Sequence, residues 1–227
     1  MTGSVPVELV EPVPFTLDRR EVVRLLGYVP GRKAPTPAIL RRIDEMVAES
    51  EALVEARACY ATKDLGEPRI SGPFRGAESI AFSVSTIGPR LEARVAELAG
   101  RGETLRALVL DAIGSASVEA ATDVVNALIC ERVGQKERRT SRRISPGYAG
   151  WPIESQAEIF ELLPTDVSGV TLTPTWFMEP RKSISAAIAI GRGVTHSKYV
   201  AICAYCGLRG CAFRRTQDPE HPEPSHG

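Results

Sequence analysis

The sequence predicts an α+β fold: a single domain in which helices flank a twisted, mostly antiparallel sheet. One observation is that the strand-like segments are scattered among helices and lack the regular strand–helix alternation of a parallel sheet. A second is composition, since 43% hydrophobic and 25% charged residues are typical of a soluble globular domain. A chain of 227 residues also has enough apolar surface for one core, which favours a single domain.

Charge and hydropathy exclude several classes of protein. The chain has 28 basic and 28 acidic residues and a formal net charge of zero, which argues against a surface that binds nucleic acid or an acidic membrane as a whole. No apolar run approaches the ~20 residues of a membrane span. Residues 1–11 lack the basic and apolar regions of a secretory signal, so we expect a cytoplasmic protein.

An extended segment and two helices are predicted at the start of the chain. Residues 1–14 contain several prolines and a glycine, as an extended lead-in does. Thr16 is the candidate N-cap of a first helix, which ends at Gly27. Thr36 caps a second helix. Apolar residues recur at three- and four-residue steps after it, so this amphipathic helix is expected to extend to about Cys59.

The middle of the chain predicts one strand and two helices. Residues 80–85 alternate apolar with small side chains, which predicts a half-buried strand. Apolar residues within 91–98 then predict a short helix. Thr104 caps a long helix that extends to about Val133 and has many small side chains on one face. We interpret it as a core helix packed closely against the sheet.

The last third begins with a basic segment and ends in strands. Residues 135–151 have no helical or strand period; they are basic first and rich in glycine and proline afterwards. A helix is expected beyond Pro152 and ends at Pro164. Strand-like runs follow at residues 170–172 and 183–190.

The loop that closes the basic segment has side chains suited to a zwitterionic ligand that carries a nucleoside. Pro146 restricts its neighbours, and Gly147 permits positive φ or the close approach of a ligand. Arg143 offers a planar fork for a carboxylate, and Tyr148 can stack on a flat base. The alternative is a solvated basic loop with Tyr148 packed as a core anchor. On the pattern alone this alternative is favoured, because short motifs often occur by chance.

This loop resembles the Arg-x-x-x-Gly-Tyr loop of the reactivation domain of cobalamin-dependent methionine synthase. Four later segments resemble that domain in the same order and at similar spacing: residues 158–163 (a helix), 169–173 (a strand), 178–185 (a Met-x-Pro-x-x-Ser-x-Ser signature) and 196–199 (a stretch with a tyrosine). Ordered matches over about residues 137–199 are far more specific than any one of them, so we prefer the ligand-site interpretation. The resemblance implies a reactivation-like domain over residues 1–200 and a cysteine-bearing C-terminal segment over 201–227.

The resemblance also implies which residues bind S-adenosylmethionine. Six positions match ligand contacts of that family: Arg143, Ser145, Gly147, Tyr148, Glu137 and Tyr199. Of these, Arg143 takes the amino-acid carboxylate and Ser145 stands where the family offers a small backbone contact. Residues 1–130 do not obviously align with the methionine synthase domain and look like the helical half of its stand-alone relatives.

The function implied is the reactivation of a cobalamin-dependent methyltransferase, methionine synthase or a related corrinoid protein. Inert cob(II)alamin is restored by one-electron reduction coupled to methyl transfer from S-adenosylmethionine. The cobalamin is held by the corrinoid partner, and an electron donor is a further expected partner; nucleic acid and membrane are not. The chain itself positions the sulfonium methyl toward cobalt, so no catalytic residue is assigned and the chain acts as a methyltransferase component.

A cysteine motif near the C-terminus predicts a metal or iron–sulfur site. Cys203, Cys206 and Cys211 have the spacing C-x2-C-x4-C, and two thiolates at C-x2-C readily bind one metal. Candidates for the fourth ligand are Cys59, Cys130, His196 and an exogenous group. Cys59 and Cys130 are expected on helices, as core residues. The alternatives for the motif are free thiols or a structural zinc, and the alternative function is a non-catalytic metal-bearing adaptor or electron-transfer partner of a corrinoid protein.

The basic run at residues 136–143 has other interpretations. It could contact phosphates of a nucleic acid, with the cysteine motif as a zinc knuckle, but the shortage of interleaved aromatic residues and the zero net charge weigh against this. It could also face the acidic surface of a partner. A solvated surface is the default interpretation.

Overall fold

A computed structural model describes residues 5–28, 34–67, 73–134, 138–148 and 150–194. Within these ranges the helices are α1 (Arg19–Leu25), α2 (Pro37–Ser50), α3 (Arg90–Gly100), α4 (Thr104–Gly134), α5 (Gln156–Leu162) and α6 (Thr165–Ser168). The strands are β1 (Val7–Val10), β2 (Arg57–Asp64), β3 (Ser79–Thr86), β4 (Arg139–Thr140), β5 (Thr171–Leu172), β6 (Met178–Glu179) and β7 (Ser183–Gly191). The predicted α+β class is confirmed.

Five strands form one antiparallel sheet in the order β1-β2-β3-β7-β4, and β5 and β6 form a separate pair. Strand β3 lies at the centre and pairs along its whole length with β2 on one side and β7 on the other. Every residue of β3 is buried. The prediction of a half-buried strand at this position is therefore wrong, because both faces of the sheet are covered and its small serines are enclosed as well.

The two faces of the sheet have separate cores, since successive side chains of a strand point in opposite directions. Ala81 of β3 and Ile188 of β7 pack against α1 to α4, and we call this side the α4 face. Phe82 and Ala187 pack against α5, α6 and Trp151, and we call this side the α5 face. The long helix α4 begins at Thr104 as predicted and lies across β3 and β7.

Two helix predictions near the N-terminus need correction. Helix α2 ends at Ser50 rather than about Cys59, because Glu55 donates its backbone N–H to Ile87 and the chain then enters β2. Cys59 is therefore a strand residue. Helix α1 is capped by Asp18, whose carboxylate accepts the backbone N–H of Arg20, and not by Thr16.

None of the helices in the described ranges is long and apolar enough to cross a membrane.

Candidate functional site

The short pairing between β4 and β7 directs Arg143 toward α4. Beyond Thr140 the chain stays beside β7, and Ile144 exchanges backbone hydrogen bonds of 2.9 and 2.8 Å with Ala187. Ile144 packs on the α5 face. Its neighbour Arg143 consequently points to the opposite side, where its guanidinium reaches the surface of α4.

Two carboxylates of α4 hold this guanidinium. Nη2 of Arg143 donates to Oε2 of Glu119 and lies 3.2 Å from Oδ1 of Asp123. The arginine side chain is only 13% exposed, whereas Glu119 and Asp123 are 41% and 35% exposed. These three residues form what we call the Arg143 cluster, with one positive and two negative formal charges. It has a local excess of negative charge beside solvent.

Glu119 and Asp123 are not among the site residues predicted from the sequence. They are four residues apart, so they lie on the same face of the helix, and this spacing is the only signal the sequence holds for them. It indicates a shared acidic surface but does not say what faces it. That depends on how α4 lies against β7, which follows from long-range packing.

The loop after Arg143 is a tight turn anchored by Trp151. Gly147 has a φ of +90° and donates its N–H to the carbonyl of Trp151 at 2.7 Å, so its conformation needs glycine. Trp151 is buried and meets the ring of Phe74 edge to face, with centroids 4.9 Å apart. Tyr148 is 50% exposed. The alternative that Tyr148 serves as a core anchor is therefore wrong: Trp151 has that role, and the tyrosine ring is available to solvent.

A second loop joins this region through Gln156, at the start of α5. The buried Gln156 donates to the carbonyl of Trp176 at 2.9 Å and accepts from the hydroxyl of Ser185 at 3.0 Å. Trp176 has a φ of +65°, which is uncommon for a bulky residue, and Phe177 beside it is 66% exposed. Gln156 thus fixes this loop from its buried side, and the loop exposes the ring of Phe177 to solvent.

The serines of the 178–185 segment have structural roles in this arrangement. Ser183 donates to the hydroxyl of Thr86 at 2.9 Å and also lies 2.7 Å from the carbonyl of Pro180. Ser185 bonds to Gln156 as described above. These bonds fasten the start of β7 to β3 and α5.

Lys182 occupies the same face of α4 as the Arg143 cluster. Its Nζ lies 2.7 Å from Oδ1 of Asp111 and 2.9 Å from Oγ of Ser115. Asp111, Ser115, Glu119 and Asp123 follow one another at steps of four residues, so they form one polar ridge along the helix. Two basic side chains pack on this ridge: Lys182, which precedes β7, and Arg143, whose neighbour Ile144 pairs with Ala187 in the middle of β7.

The structure brings four of the predicted ligand residues together in one loop: Arg143, Ser145, Gly147 and Tyr148. The remaining predicted site residues lie outside the described ranges: Glu137, Tyr199, Cys203, Cys206, Cys211 and His196. In the part of the chain that the structure describes, no group of three or more histidine, cysteine, aspartate or glutamate side chains is arranged to hold a metal ion.

Cys59 and Cys130 have different surroundings. Cys59 is fully buried in β2, and this burial raises the pKa of its thiol to about 11. It is a core residue, as expected, but on a strand rather than on a helix. Cys130 is half-buried on α4, where its Sγ lies 3.3 Å from Oγ1 of Thr140.

Comparison with known proteins shows a likeness in structure rather than in sequence. No family model matches the chain, and no curated protein matches it. The solved structure of the MetH reactivation domain bound to AdoHcy matches with a TM-score of 0.59 over 87% of this chain and 81% of that chain, at 15% sequence identity. The resemblance noted in the loop and the segments after it is thereby confirmed at the level of the fold: the chain has the fold of the MetH reactivation domain.

Proposed function

We propose that this chain binds S-adenosylmethionine at the loop containing Arg143 and supports the reductive methylation of cob(II)alamin in a corrinoid methyltransferase, methionine synthase or a related protein. The observation that carries the proposal is a largely buried arginine that contacts two carboxylates at the base of the Arg-x-x-x-Gly-Tyr loop. The fold adds support, because the MetH reactivation domain with the same fold was solved with AdoHcy, the product of such a methyl transfer.

The charges of the Arg143 cluster suit this ligand. The planar fork of Arg143 matches the ligand's amino-acid carboxylate, and the carboxylates of Glu119 and Asp123 match its ammonium group. S-adenosylmethionine has one more positive charge, on its sulfonium sulfur, so its net charge of plus one complements the net minus one of the cluster. Electrostatic attraction therefore favours the ligand before the methyl transfer more than the neutral product after it.

The adenosine part is assigned to the turn at Ser145 and Gly147. Gly147 is exposed and has no side chain of its own, so an adenine ring can approach its backbone closely and bond to it. The exposed ring of Tyr148 offers a stacking surface for a flat base.

The chain's contribution to the reaction is binding and orientation. Cobalamin, held by the partner and reduced by one electron from a donor, supplies the acceptor of the methyl group. Methyl transfer from a sulfonium leaves AdoHcy and releases no proton, so the chain needs no general base. Binding the amino-acid group at the Arg143 cluster and the adenosine at the turn fixes the sulfonium group between them, so the methyl transfer becomes effectively intramolecular once the partner docks. We accordingly assign the chain as a component of a cytoplasmic methyltransferase.

Exposed apolar side chains around the loop support a docked partner. Tyr148, Ile153 and Phe177 are all exposed, and large apolar groups at a surface often mark contact sites. Ile153 lies beside Gly147, and Phe177 follows the tryptophan whose carbonyl is held by Gln156. We propose that the corrinoid partner contacts these three side chains.

Calorimetric titration with S-adenosylmethionine and with AdoHcy tests the proposal. We expect the native chain to bind both ligands, and Arg143→Ala to weaken both by at least about 10-fold, because charged hydrogen bonds are lost. Arg139→Ala is the matched control: this exposed arginine of β4 lies in the same basic segment but outside the cluster, and its variant is expected to bind normally. Absence of binding by the native chain would overturn the proposal.

We propose separately that Cys203, Cys206 and Cys211 hold zinc or an iron–sulfur cluster in a C-terminal segment, residues 201–227. Their spacing supports this, and a cluster would serve a reaction that consumes one electron. The fully buried Cys59, with its raised thiol pKa, is a poor fourth ligand, which leaves Cys130, His196 or an exogenous group. Metal content and the visible spectrum of anaerobically purified protein distinguish zinc, a cluster and free thiols. A metal-bearing chain that binds no S-adenosylmethionine would instead support the adaptor function.

A further inference from the structure

In the free chain, Nη2 of Arg143 already has two carboxylate partners in the Arg143 cluster. Nη2 of Arg143 contacts both Glu119 and Asp123, and most of the side chain is buried between α4 and β7. A ligand carboxylate that binds this guanidinium therefore meets two carboxylates of the protein at the same place. How the cluster makes room for a third carboxylate determines which ligands it accepts.

We propose that Glu119 is a specificity-determining residue that exchanges ion pairs with the ligand. In the free chain Glu119 pairs with Arg143. When the ligand binds, its carboxylate takes the place of Glu119 on Arg143, and the released Glu119 pairs with the ligand's ammonium group. The site thereby selects α-amino acid head groups and rejects carboxylates that lack an amino group. This inference rests on the proposed function, because it concerns the same ligand site.

The geometry assigns the exchange to Glu119 rather than Asp123. Glu119 is the more exposed of the two carboxylates and has one more methylene group, so it can leave the guanidinium and remain at the rim of the site. Asp123 has the shorter side chain and is less exposed. It stays beside Arg143 throughout the exchange, so the buried guanidinium is never without a counter-ion, which would be strongly unfavourable.

The net charge of the Arg143 cluster stays unchanged only when the ligand's head group is a zwitterion. An α-amino acid brings one carboxylate and one ammonium group, so it adds no net charge to the three residues of the Arg143 cluster. A ligand with a carboxylate alone makes the net charge minus two and leaves Glu119 beside two other carboxylates with no new cation. In a half-buried site this arrangement is disfavoured by like-charge repulsion.

The other carboxylate on the same ridge provides a contrast. Asp111 has its own cation, because Lys182 pairs with it and also with Ser115. Glu119, in contrast, shares one arginine with Asp123. Release of Glu119 thus leaves its former cation paired with Asp123, whereas release of Asp111 would remove the carboxylate partner that Lys182 has on this ridge.

The test compares two ligands: AdoHcy, and the analogue of AdoHcy that keeps the carboxylate but lacks the α-amino group. Both are titrated into the native chain and into Glu119→Gln, Asp123→Asn and Glu131→Gln. Glu131 is an exposed carboxylate on the same helix, three turns beyond Glu119, so its variant has the same change of charge outside the cluster. Melting temperatures establish that each variant is folded.

We expect the native chain to bind the analogue at least about 100-fold more weakly than AdoHcy, because like-charge contacts at such a site are costly. Glu119→Gln should reduce this ratio to about 10-fold or less, and it should do so by binding the analogue more tightly than the native chain does. Glu131→Gln should keep the native ratio.

The outcomes separate this inference from the proposed function. Equal ratios in the native chain and Glu119→Gln, with AdoHcy bound by both, would overturn the role of Glu119 and leave the ligand site standing. A ratio reduced by Asp123→Asn and not by Glu119→Gln would also overturn it. If the native chain binds neither ligand, the proposed function fails and this inference fails with it.

Discussion

Lys182 crosses helix α4 at Gly114: a Cβ atom on this glycine would lie 3.3 Å from Cε and 3.4 Å from Cγ of the lysine. The same Cβ would lie 2.7 Å from Cδ2 of Leu91, which is fully buried on α3. Gly114 therefore opens the gap through which the lysine reaches Asp111 and Ser115. This lack of space for a side chain explains why a glycine stands in the middle of the long helix.

Gly114→Ala is expected to destabilise the protein. Overpacking costs about 1–3 kcal/mol, and the better helix propensity of alanine offsets about 1 kcal/mol of this, so we expect a net loss of about 1 kcal/mol. Gly100→Ala is the control, because Gly100 ends α3 with nothing within 4 Å of its Cβ position; it should lose no stability and gain at most about 0.5 kcal/mol, since it stands at the end of the helix. Urea unfolding measures both. A Gly114→Ala variant as stable as the native chain would contradict this account.

Gly191→Ala should be more severe than Gly193→Ala. A Cβ at Gly191 would lie 2.5 Å from the carbonyl oxygen of Gly76 and 3.0 Å from the amide nitrogen of Glu78, both of which belong to the backbone. At Gly193 the nearest atoms are 3.6 Å away. Because backbone cannot move aside as a side chain can, we expect Gly191→Ala to lose at least about 2 kcal/mol and Gly193→Ala less than about 1 kcal/mol. Thermal melts of the two variants compare these losses directly, and similar losses would contradict the close approach.

The pH dependence of stability should include Glu49. Burial raises the pKa of its carboxyl, but hydrogen bonds from Arg94 at 2.7 Å and Arg106 at 2.8 Å outweigh this, so the pKa of Glu49 in the folded state is lowered. A lowered pKa stabilises the fold above the ordinary glutamate value, and this stabilisation is lost as the pH falls through the lowered value. Glu49→Gln should therefore lose about 1 kcal/mol at neutral pH and less in acid.

Unfolding experiments at several pH values check this prediction. The matched control is Glu45→Gln, which removes an ion pair between the more exposed Glu45 and Arg42. Its cost at neutral pH should be smaller than that of Glu49→Gln, since exposed pairs are well screened. A cost for Glu49→Gln that stays constant down to strongly acidic pH would argue against the lowered pKa.

Cys59 should resist alkylation until the protein unfolds. With a thiol pKa of about 11, it is almost entirely protonated at pH 8, and its burial in β2 also blocks the reagent. Cys130 is half-buried and should react sooner. Mass spectrometry of proteolytic peptides after timed alkylation follows each cysteine separately. Equal rates for Cys59 and Cys130 in native buffer would contradict the buried position.

Much of the fold could be predicted because its signals are local. Thr104 opens a long apolar helix, and the alternation in residues 183–190 gives a strand, as found in α4 and β7. The end of α2 could not be predicted, since no glycine or proline stands between Ser50 and Cys59 and the apolar spacing continues past the true end. Long-range pairing with β1 and β3 makes the segment around Cys59 a strand.

The candidate site also combines residues that have a local sequence signal with residues whose role depends on long-range packing. Arg143, Gly147 and Tyr148 could be chosen as candidate ligand residues because they lie within six residues and resemble a known loop, and their ligand role stays a prediction. Glu119 and Asp123 could not, because their meeting with Arg143 depends on the position of α4 over the sheet. The loop and the acidic face of α4 can each be recognised in the sequence, but their contact becomes visible only in the structure.

Helix α4 carries the acidic partners of both Arg143 and Lys182. At 1.5 Å per residue its 31 residues make a rod about 46 Å long, and Leu105 and Leu108 are exposed on its first turns. A protein that contacted those leucines and a ligand at the proposed site near Glu119 would both contact this one helix. Whatever free energy couples the two events is the same in both directions, so any partner that tightens ligand binding is itself held more tightly by the liganded chain.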